Sequence, residues 1–390
     1  MGLFAFSTEM QIIMAASHSQ PQQVDLHRIS GLAARLDDWT RFTELVTLHR
    51  VGPLLANSLR TAGCIPSPVK LWLQQQLSVN SVRNVRLASS LLRVLKLFEE
   101  AGIESVPFKG PTLTNQAYGN LGLRVFGDVD LLVKRQNMER AAALLWERGF
   151  ETPDHEKNPE HIPAQLGLNF YHPDGLIVEM HWALVQRWLG YRYDPHEIWQ
   201  RMRKQPFCGQ SILSLPSSDL LLYLCAHGVK HHWSNLFWIV DIAEVLRTEP
   251  ALDWNLLYAQ AKERGSVRVL NLGLLLARQL LGAPVPPEVV ARLTKDTQAE
   301  ALAIRICSWL SGARKPPEAG SKEEDKFFMQ SKEHWSAKAI YAWHIYRLAW
   351  QPSPADRAFV RLPRALEPVY YLVRPIRILS QRIHRAVFRK

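Results

Sequence analysis

Short apolar runs in the middle of the chain interrupt an otherwise helical pattern, and this interruption constrains the fold more than any other feature. The Pro173-Asp174-Gly175 turn predicts a β-hairpin between residues 169–172 and the apolar run after it. Helical spacing of apolar residues recurs between the runs. We therefore expect a compact α+β unit at residues 103–185. Its candidate strands are Ser105–Phe108, Val129–Val133 and Leu176–Trp182.

Apolar residues recur at helical spacing on both sides of this unit. After a loose polar start to about Gln23, residues 24–100 predict helices, with the long 69–98 pattern divided near Ser78–Ser81. The polar segment 313–326 predicts an exposed loop, and an aromatic helix is expected at about 335–349. The other candidate helices lie at 217–230, 236–247, 254–264, 266–281, 287–295 and 299–312.

These patterns predict an α+β fold in which a small mixed sheet with its helices is embedded in a mainly helical chain. At about 150 residues per domain, the length of 390 residues favours two or three domains. The regions expected are N-terminal helices at 24–102, the α+β unit at 103–215, a helical domain at 216–312, and a loop, helix and basic tail at 313–390.

Composition narrows the class of protein. The four cysteines are far apart and form no CxxC pair, which argues against a disulfide framework and favours a reducing compartment. No run reaches the ~18 apolar residues that a transmembrane helix needs, so a cytoplasmic protein is expected. The net charge of +11 suits a polyanionic partner such as a nucleotide, nucleic acid or acidic lipid surface.

Three acidic residues in the candidate strands are the sharpest chemical feature. Asp128 and Asp130 alternate along one strand and therefore point to the same face. Glu179 lies within another apolar strand, where an ionised group needs a partner. If the two strands are neighbours, three carboxylates converge and can bind two Mg²⁺ ions, with Mn²⁺ as the alternative metal. The structural alternatives are a turn cap at Asp128, a pair between Asp130 and Arg124, and a solvent-facing Glu179 on an edge strand.

The Lys109-Gly110 turn precedes a predicted helix that begins with a proline. Glycine at such a turn lets backbone N–H groups approach a phosphate, and the lysine adds a positive charge. A plain turn explains the same residues. Arg124 is suited to approach a triphosphate or to orient Asp130, and a structural salt bridge is equally compatible with its position.

Several histidines allow more than one role. His181 shares the strand face of Glu179 and either supports the acids or is an ordinary core histidine. His227, His231 and His232 lie near one another on a predicted helix, but the segment lacks the Glu of a zinc-binding His-Glu-x-x-His helix. With Lys230 they are also placed to contact a nucleotide or an acceptor. Trp233 and Trp238 are expected in the core.

The C-terminal tail is basic and amphipathic. Residues 357–390 contain nine Lys or Arg and one acid, Glu367, interleaved with apolar residues at helical spacing. Such a segment can contact nucleic acid or an anionic membrane surface. It can equally be a helix packed on the body with a solvated basic face.

A series of short motifs follows one order along the chain. They are Lys109-Gly110-Pro, Tyr118-Gly119, Arg124-Val-Phe-Gly-Asp128-Val-Asp130-Leu-Leu-Val, Gly149-Phe150, Val-Glu179-Met-His181-Trp182, His227-Gly-Val-Lys-His231-His232-Trp and Leu236-Phe-Trp238-Ile-Val-Asp241. Through these motifs, residues of roughly 35–310 resemble the uncharacterised bacterial nucleotidyltransferase family of the DNA polymerase β-like nucleotidyltransferase superfamily. The resemblance extends to Leu362-Pro363 and to Tyr370–Pro375 in the tail.

The resemblance implies a polymerase β-like nucleotidyltransferase unit. Asp128 and Asp130 would bind the catalytic metals with Glu179 as the third acid, and Lys109, Gly110 and Arg124 would bind the nucleotide. Two departures leave the nucleotide open. The superfamily uses Gly-Ser where this chain has Lys-Gly, so the serine's phosphate contact would pass to Lys109, Thr112 or backbone amides. The third acid is usually Asp, whereas Glu179 has a longer side chain.

The function expected is transfer of an NMP from an NTP to an acceptor, with release of pyrophosphate. The sequence does not name the NTP, although ATP is weakly favoured. A small molecule, a tRNA or a protein are the acceptor classes. The alternatives are a non-catalytic nucleotide- or RNA-binding protein and a toxin-like modifier of tRNA or protein.

Overall fold

A four-stranded mixed sheet lies at the centre of the α+β unit in the computed structural model, which describes residues 4–153, 166–350 and 354–387. The strands lie in the order β1-β2-β4-β3. β2 pairs antiparallel with β1 and parallel with β4, while β3 and β4 form the predicted hairpin. The strands are β1 (Ser105–Pro107), β2 (Val129–Val133), β3 (Gly167–Tyr171) and β4 (Ile177–His181).

The sequence of each strand explains its place in this sheet. All five residues of β2 are buried, as expected for a central strand covered on both faces. In β3 and β4 buried residues alternate with half-buried or exposed ones, as expected when one face is more open. The turn between them uses Gly175 at φ 88°, a conformation that glycine adopts readily.

The N-terminal region is helical from Thr8 onward. The predicted loose start to Gln23 is wrong, because Thr8–Ala16 is a helix that buries Met10, Ile12 and Ile13. The helices are α1 (Thr8–Ala16), α2 (Leu26–Ala33), α3 (Thr40–His49), α4 (Gly52–Ser58) and α5 (Ser67–Glu100).

The long helix α5 is continuous through Ser78–Ser81, where a division was expected. Polar residues interrupt its apolar pattern there, but they have partners. Asn80 donates hydrogen bonds to the carbonyls of Gly122 and Arg124, at 2.7 and 3.0 Å. Asn80 therefore anchors α5 to the loop before β2, and the polar residues here do not end the helix.

Between the sheet and the large helical region, the chain forms short elements. They are α6 (Gly110–Leu113), α7 (Met138–Glu147), α8 (Pro195–Arg201), β5 (Arg203–Phe207) and β6 (Gln210–Ser214). β5 and β6 form a separate two-stranded antiparallel hairpin that the hydrophobic pattern did not predict. Apart from Pro206, its apolar residues are Phe207, Ile212 and Leu213, and they do not alternate with polar residues along either strand.

The helical region after Ser217 follows the predicted boundaries closely. The predicted loop at 313–326 is wrong at its end, because α15 begins at Lys322, capped by Ser321, and buries Phe327 and Phe328. The helices are α9 (Ser217–Lys230), α10 (Leu236–Thr248), α11 (Trp254–Arg264), α12 (Val267–Leu281), α13 (Pro287–Leu293), α14 (Thr297–Leu310), α15 (Lys322–Ser331), α16 (Trp335–Trp350), α17 (Pro354–Phe359) and α18 (Tyr370–Val387). The end of the basic tail, from residue 388, lies outside the described residues.

The predicted fold class is confirmed: a small mixed sheet with its helices is embedded in a mainly helical chain. Helices α5 and α7 cover the sheet with Leu91, Phe98 and Leu145, which pack in one cluster with the apolar residues of β2, β3 and β4. A larger cluster joins the N-terminal helices to α9–α15. The end of β2 that carries Asp130 is therefore held between two packed cores.

Candidate active site between the sheet and helices α9 and α10

The three predicted acids lie around one cavity of about 360 Å³. The parallel pairing of β2 and β4 places Asp130 directly opposite Glu179. Asp128 lies just before β2 and lines the same cavity. Because β4 lies between β2 and β3, Glu179 is not on an edge strand. The register that the sequence left open therefore brings the carboxylates together.

Two basic side chains contact these acids. Lys109 Nζ is 2.6 Å from Asp130 Oδ1. His181 Nε2 lies 3.4 Å from the same oxygen and 3.3 Å from Glu179 Oε2. Asp130 is almost fully buried, so this ion pair replaces the water that its charge would otherwise need.

The chemistry of the donor set fits a divalent cation. One ligand atom from each of Asp130, Glu179 and His181 lies within 4.8 Å of the others. Carboxylate oxygens suit Mg²⁺ and Mn²⁺, and an imidazole nitrogen is a common ligand of transition metals. Among the residues that the structure describes, this is the one group of three potential metal ligands whose ligand atoms lie so close together.

The charges of the site are strongly coupled. Burial and the negative charge of Asp130 raise the pKa of Asp128. Burial opposes ionisation of Asp130 as well, but Lys109 and His181 together outweigh it and lower the pKa of Asp130 to about 2. The hydrogen bond with His181 lowers the pKa of Glu179. Burial disfavours the charged form of His181, but its contacts with Asp130 and Glu179 outweigh that effect and raise its pKa. A bound cation would relieve the repulsion among these acids.

The Lys109-Gly110 turn brings its backbone against Asp128. Gly110 has φ 54°, and a Cβ added there would lie 2.9 Å from the backbone oxygen of Asp128. Thr112, which the sequence offered as a phosphate contact, donates its hydroxyl to the carbonyl of Lys109 at 2.9 Å and is buried. The turn thus needs glycine for both its conformation and its close approach.

Arg124 forms the structural salt bridge that the sequence left as one of its alternatives. Its guanidinium donates two hydrogen bonds to the carboxylate of Asp241 on α10, at 2.7 and 2.8 Å. Tyr118 donates a third to the same carboxylate at 2.7 Å. Arg124 also lines the cavity, so its contact with a nucleotide stays a prediction.

Helices α9 and α10 form the opposite wall of the cavity. The lining residues on this side include Tyr223, His227, Lys230, His231 and Trp238. His231 stacks on Trp238 with ring centroids 5.1 Å apart. Burial and the nearby lysines lower the pKa of His231 to about 4. The same two causes hold the pKa of His227 well below its ordinary value, so both imidazoles are neutral at pH 7.

The remaining residues of this segment point elsewhere. His232, at φ 57°, turns away to lie 3.2 Å from Glu324 on α15. Trp233 is fully buried, as predicted, whereas Trp238 packs against the core and also lines the cavity. Sequence patterns assigned no role to Tyr223 or Asp241. Tyr223 lies four residues before His227 on the same helix, and this spacing indicates that the two side chains share one face.

The comparisons with known proteins agree with this geometry. The model of the family described as uncharacterised nucleotidyltransferase matches residues 36–282. Searches of curated proteins and of solved structures each returned no significant match. Within the described residues, no helix has the length and apolar character that crossing a bilayer requires. The matched segment holds the whole cavity wall described above, and the chain therefore belongs to this uncharacterised nucleotidyltransferase family.

Proposed function

We propose that this chain transfers a nucleoside monophosphate from a nucleoside triphosphate to an acceptor, with release of pyrophosphate. The observation that carries the proposal is the parallel register of β2 and β4, which sets Asp130 opposite Glu179 beside Asp128 and the Lys109-Gly110 turn. Acids clustered on a sheet beside a glycine turn suit a metal-bound triphosphate. Membership of the family supports a transferase of this general type.

Asp128, Asp130 and Glu179 are the residues proposed to hold two divalent ions, Mg²⁺ or Mn²⁺. When bound, such ions activate the attacking oxygen and neutralise charge on the leaving pyrophosphate. His181 touches two of these acids and would fix their orientation. The protein's own contribution is to hold the acids in one cavity with Asp130 almost fully buried, where charge is screened less than in water.

Lys109, Gly110 and Arg124 are the residues proposed to bind the nucleotide. Lys109 is paired with Asp130, so a cation that takes over Asp130 would free the ammonium for a phosphate oxygen. Lys230 lies on the other side of the cavity and adds a second positive charge. Positioning by these groups and charge neutralisation would supply most of the rate.

A small molecule is the acceptor class that the cavity supports best. A small-molecule acceptor needs a pocket between the α+β unit and the helices from Ser217, and Tyr223, His227 and Trp238 line the cavity on that side. Its volume of about 360 Å³ lies within the range of small-ligand sites. The stacked His231 and Trp238 rings offer an aromatic surface for a flat group. ATP is the first donor to test, and tRNA and protein remain the other acceptor classes.

The decisive experiment is calorimetric titration of each of the four NTPs with Mg²⁺ or Mn²⁺, using wild type and the Asp128→Asn/Asp130→Asn variant. Metal-dependent binding of an NTP by wild type, and its loss in the folded variant, is the expected result. Asp37→Asn removes an exposed acid outside the cavity and is expected to bind like wild type. Absence of binding for every NTP and metal in folded wild type would overturn the proposal. Binding without pyrophosphate release in acceptor screens would instead support the non-catalytic alternative.

A further inference from the structure

Helix α16 exposes a row of large aromatic side chains to solvent. Trp335, Trp343, Tyr346 and Trp350 recur at spacings of eight, three and four residues, which places them on one face of the helix. Their exposed fractions are 82%, 61%, 52% and 45%. We refer to these four residues as the aromatic stripe. The opposite face packs on the body through buried residues such as Tyr341.

Three rings of the aromatic stripe contact one another. Trp343 and Tyr346 stack with centroids 5.4 Å apart, and Tyr346 and Trp350 follow at 5.9 Å. These rings therefore form one contiguous apolar surface instead of isolated exposed residues. An exposed surface of this kind marks an interaction site, because scattered single residues would be the ordinary case.

The neighbouring helix α18 also exposes apolar side chains to solvent. Asp356 on α17 is buried and accepts hydrogen bonds from Arg374 and Arg377, at 3.1 and 2.6 Å, which turns those arginines toward the body. Tyr371, Leu372 and Ile376 are left on the outer face, with 50%, 67% and 62% of their surface exposed. α18 contacts α16, so the two exposed apolar surfaces belong to one part of the molecule.

The charge around these surfaces is positive. Residues 357–390 contain nine Lys or Arg against one acid, Glu367. Within the described residues, Arg347 on α16 and Arg361 before α18 are exposed. A partner that covers this region must therefore present negative charge together with an apolar layer.

We infer that the aromatic stripe and the outer face of α18 dock on an anionic lipid bilayer. Trp and Tyr side chains favour the boundary between headgroups and acyl chains. Basic amphipathic helices bury their apolar face at that boundary, and anionic headgroups attract the arginines. The docking surface lies apart from the cavity, since none of its residues lines it. This inference does not depend on the proposed nucleotidyl transfer.

Two other partners fit the observations less well. RNA would match the positive charge and could stack on the rings, but Leu372 and Ile376 offer no stacking surface. A second copy of the chain would bring two basic tails together, and Glu367 is their one acid. Like charges facing each other across an interface oppose association.

Vesicle flotation of the full chain tests the inference, with phosphatidylcholine vesicles that contain or lack phosphatidylglycerol. We expect binding to the anionic vesicles, a blue shift of Trp emission, and much weaker binding to the neutral ones. Trp343→Ser/Trp350→Ser should weaken binding at least about tenfold, because it removes apolar area that the bilayer would bury. The matched control Val79→Ser/Val82→Ser removes side chains that are 71% and 73% exposed on α5 and should bind like wild type.

Three outcomes would overturn the inference. The first is no binding of wild type to anionic vesicles. The second is equal binding by wild type and the Trp343→Ser/Trp350→Ser variant, with both shown to be folded by circular dichroism. The third is loss of tRNA binding or of self-association in that variant without any vesicle binding by wild type, which would assign the surface to RNA or to a second copy.

Discussion

Arg124 and Asp241 join the loop before β2 to helix α10 through a buried pair with two hydrogen bonds, at 2.7 and 2.8 Å. The backbone of Arg124 is held as well, because its carbonyl accepts hydrogen bonds from Asn80 and Asn84 on α5, at 3.0 and 2.8 Å. The loop that leads to Asp128 is therefore fixed from both sides. This pair therefore anchors the loop before β2, which carries Asp128, to helix α10.

Arg124→Met should leave Asp241 buried without its cation. Removing one partner of a buried pair costs about 3–5 kcal/mol in the free energy of unfolding. Urea denaturation measures the loss, and Arg124→Met/Asp241→Leu should recover much of it because no lone charge is then buried. Arg41→Met breaks an exposed pair with Glu44 and should cost less than about 1 kcal/mol. Equal stability of Arg124→Met and Arg41→Met would contradict this account.

Gly110→Ala should be more harmful than Gly102→Ala, although both glycines have positive φ, 54° and 68°. Each alanine takes on the left-handed strain of about 1 kcal/mol. At Gly110 the new Cβ also meets the backbone oxygen of Asp128 at 2.9 Å, whereas nothing lies within 4 Å at Gly102. We expect a larger loss of thermal stability and weaker metal binding for Gly110→Ala only. Similar melting temperatures and metal affinities for the two variants would show that the turn tolerates a side chain.

Local patterns predicted much of the helical part of this fold from the sequence alone. Ser217–Lys230 and Trp254–Arg264 begin and end at the predicted residues. Pro216 precedes the first helix, and the N-cap Asp253 and C-cap Gly265 mark the two ends of the second. Helix α1 was missed because it is short and its apolar residues also fit an irregular segment. The β5–β6 hairpin was missed because apolar and polar residues do not alternate along its two strands.

The site was predictable in its residues but not in its contacts. The alternation of Asp128 with Asp130 and the place of Glu179 within an apolar run suggested that the acids converge. The strand order that brings them together depends on long-range pairing, which local patterns do not encode. The pair between Arg124 and Asp241 joins residues 117 positions apart and was equally out of reach. The ion pair between Lys109 and Asp130 could not be predicted either, because it depends on how the Lys109-Gly110 turn packs against β2.

Lys109→Met should strengthen binding of Mn²⁺ in the absence of nucleotide. The Lys109 ammonium lies 2.6 Å from Asp130 and competes with a cation for that carboxylate, so we expect about a tenfold lower Kd without it. Affinity for an NTP with metal should fall, since the proposed phosphate contact is lost. Titration followed by electron paramagnetic resonance measures both. Lys230→Met removes a cavity lysine without an ion pair to the acids in the described residues and should leave Mn²⁺ affinity nearly unchanged. Weaker Mn²⁺ binding in Lys109→Met would refute the competition.

His49 should make the stability of the protein fall as the pH falls below neutral. The imidazole is buried, lies 3.1 Å from the carbonyl of Leu310 and accepts a hydrogen bond from the N–H of Leu236 at 3.3 Å. Burial lowers the pKa of His49 to about 4, below its value of about 6.5 in the unfolded chain. As the pH falls, protons therefore bind the unfolded chain before the folded one, so the stabilisation is complete above pH ~6.5 and is lost between pH ~6.5 and ~4.

Between pH 7.5 and 5, protonation of His49 should remove about 2 kcal/mol from the free energy of unfolding. Urea denaturation at both pH values should show a smaller difference for His49→Gln than for wild type, and an unchanged one for the exposed control His27→Gln. The same pH dependence in His49→Gln and wild type would mean that His49 is not the group that titrates.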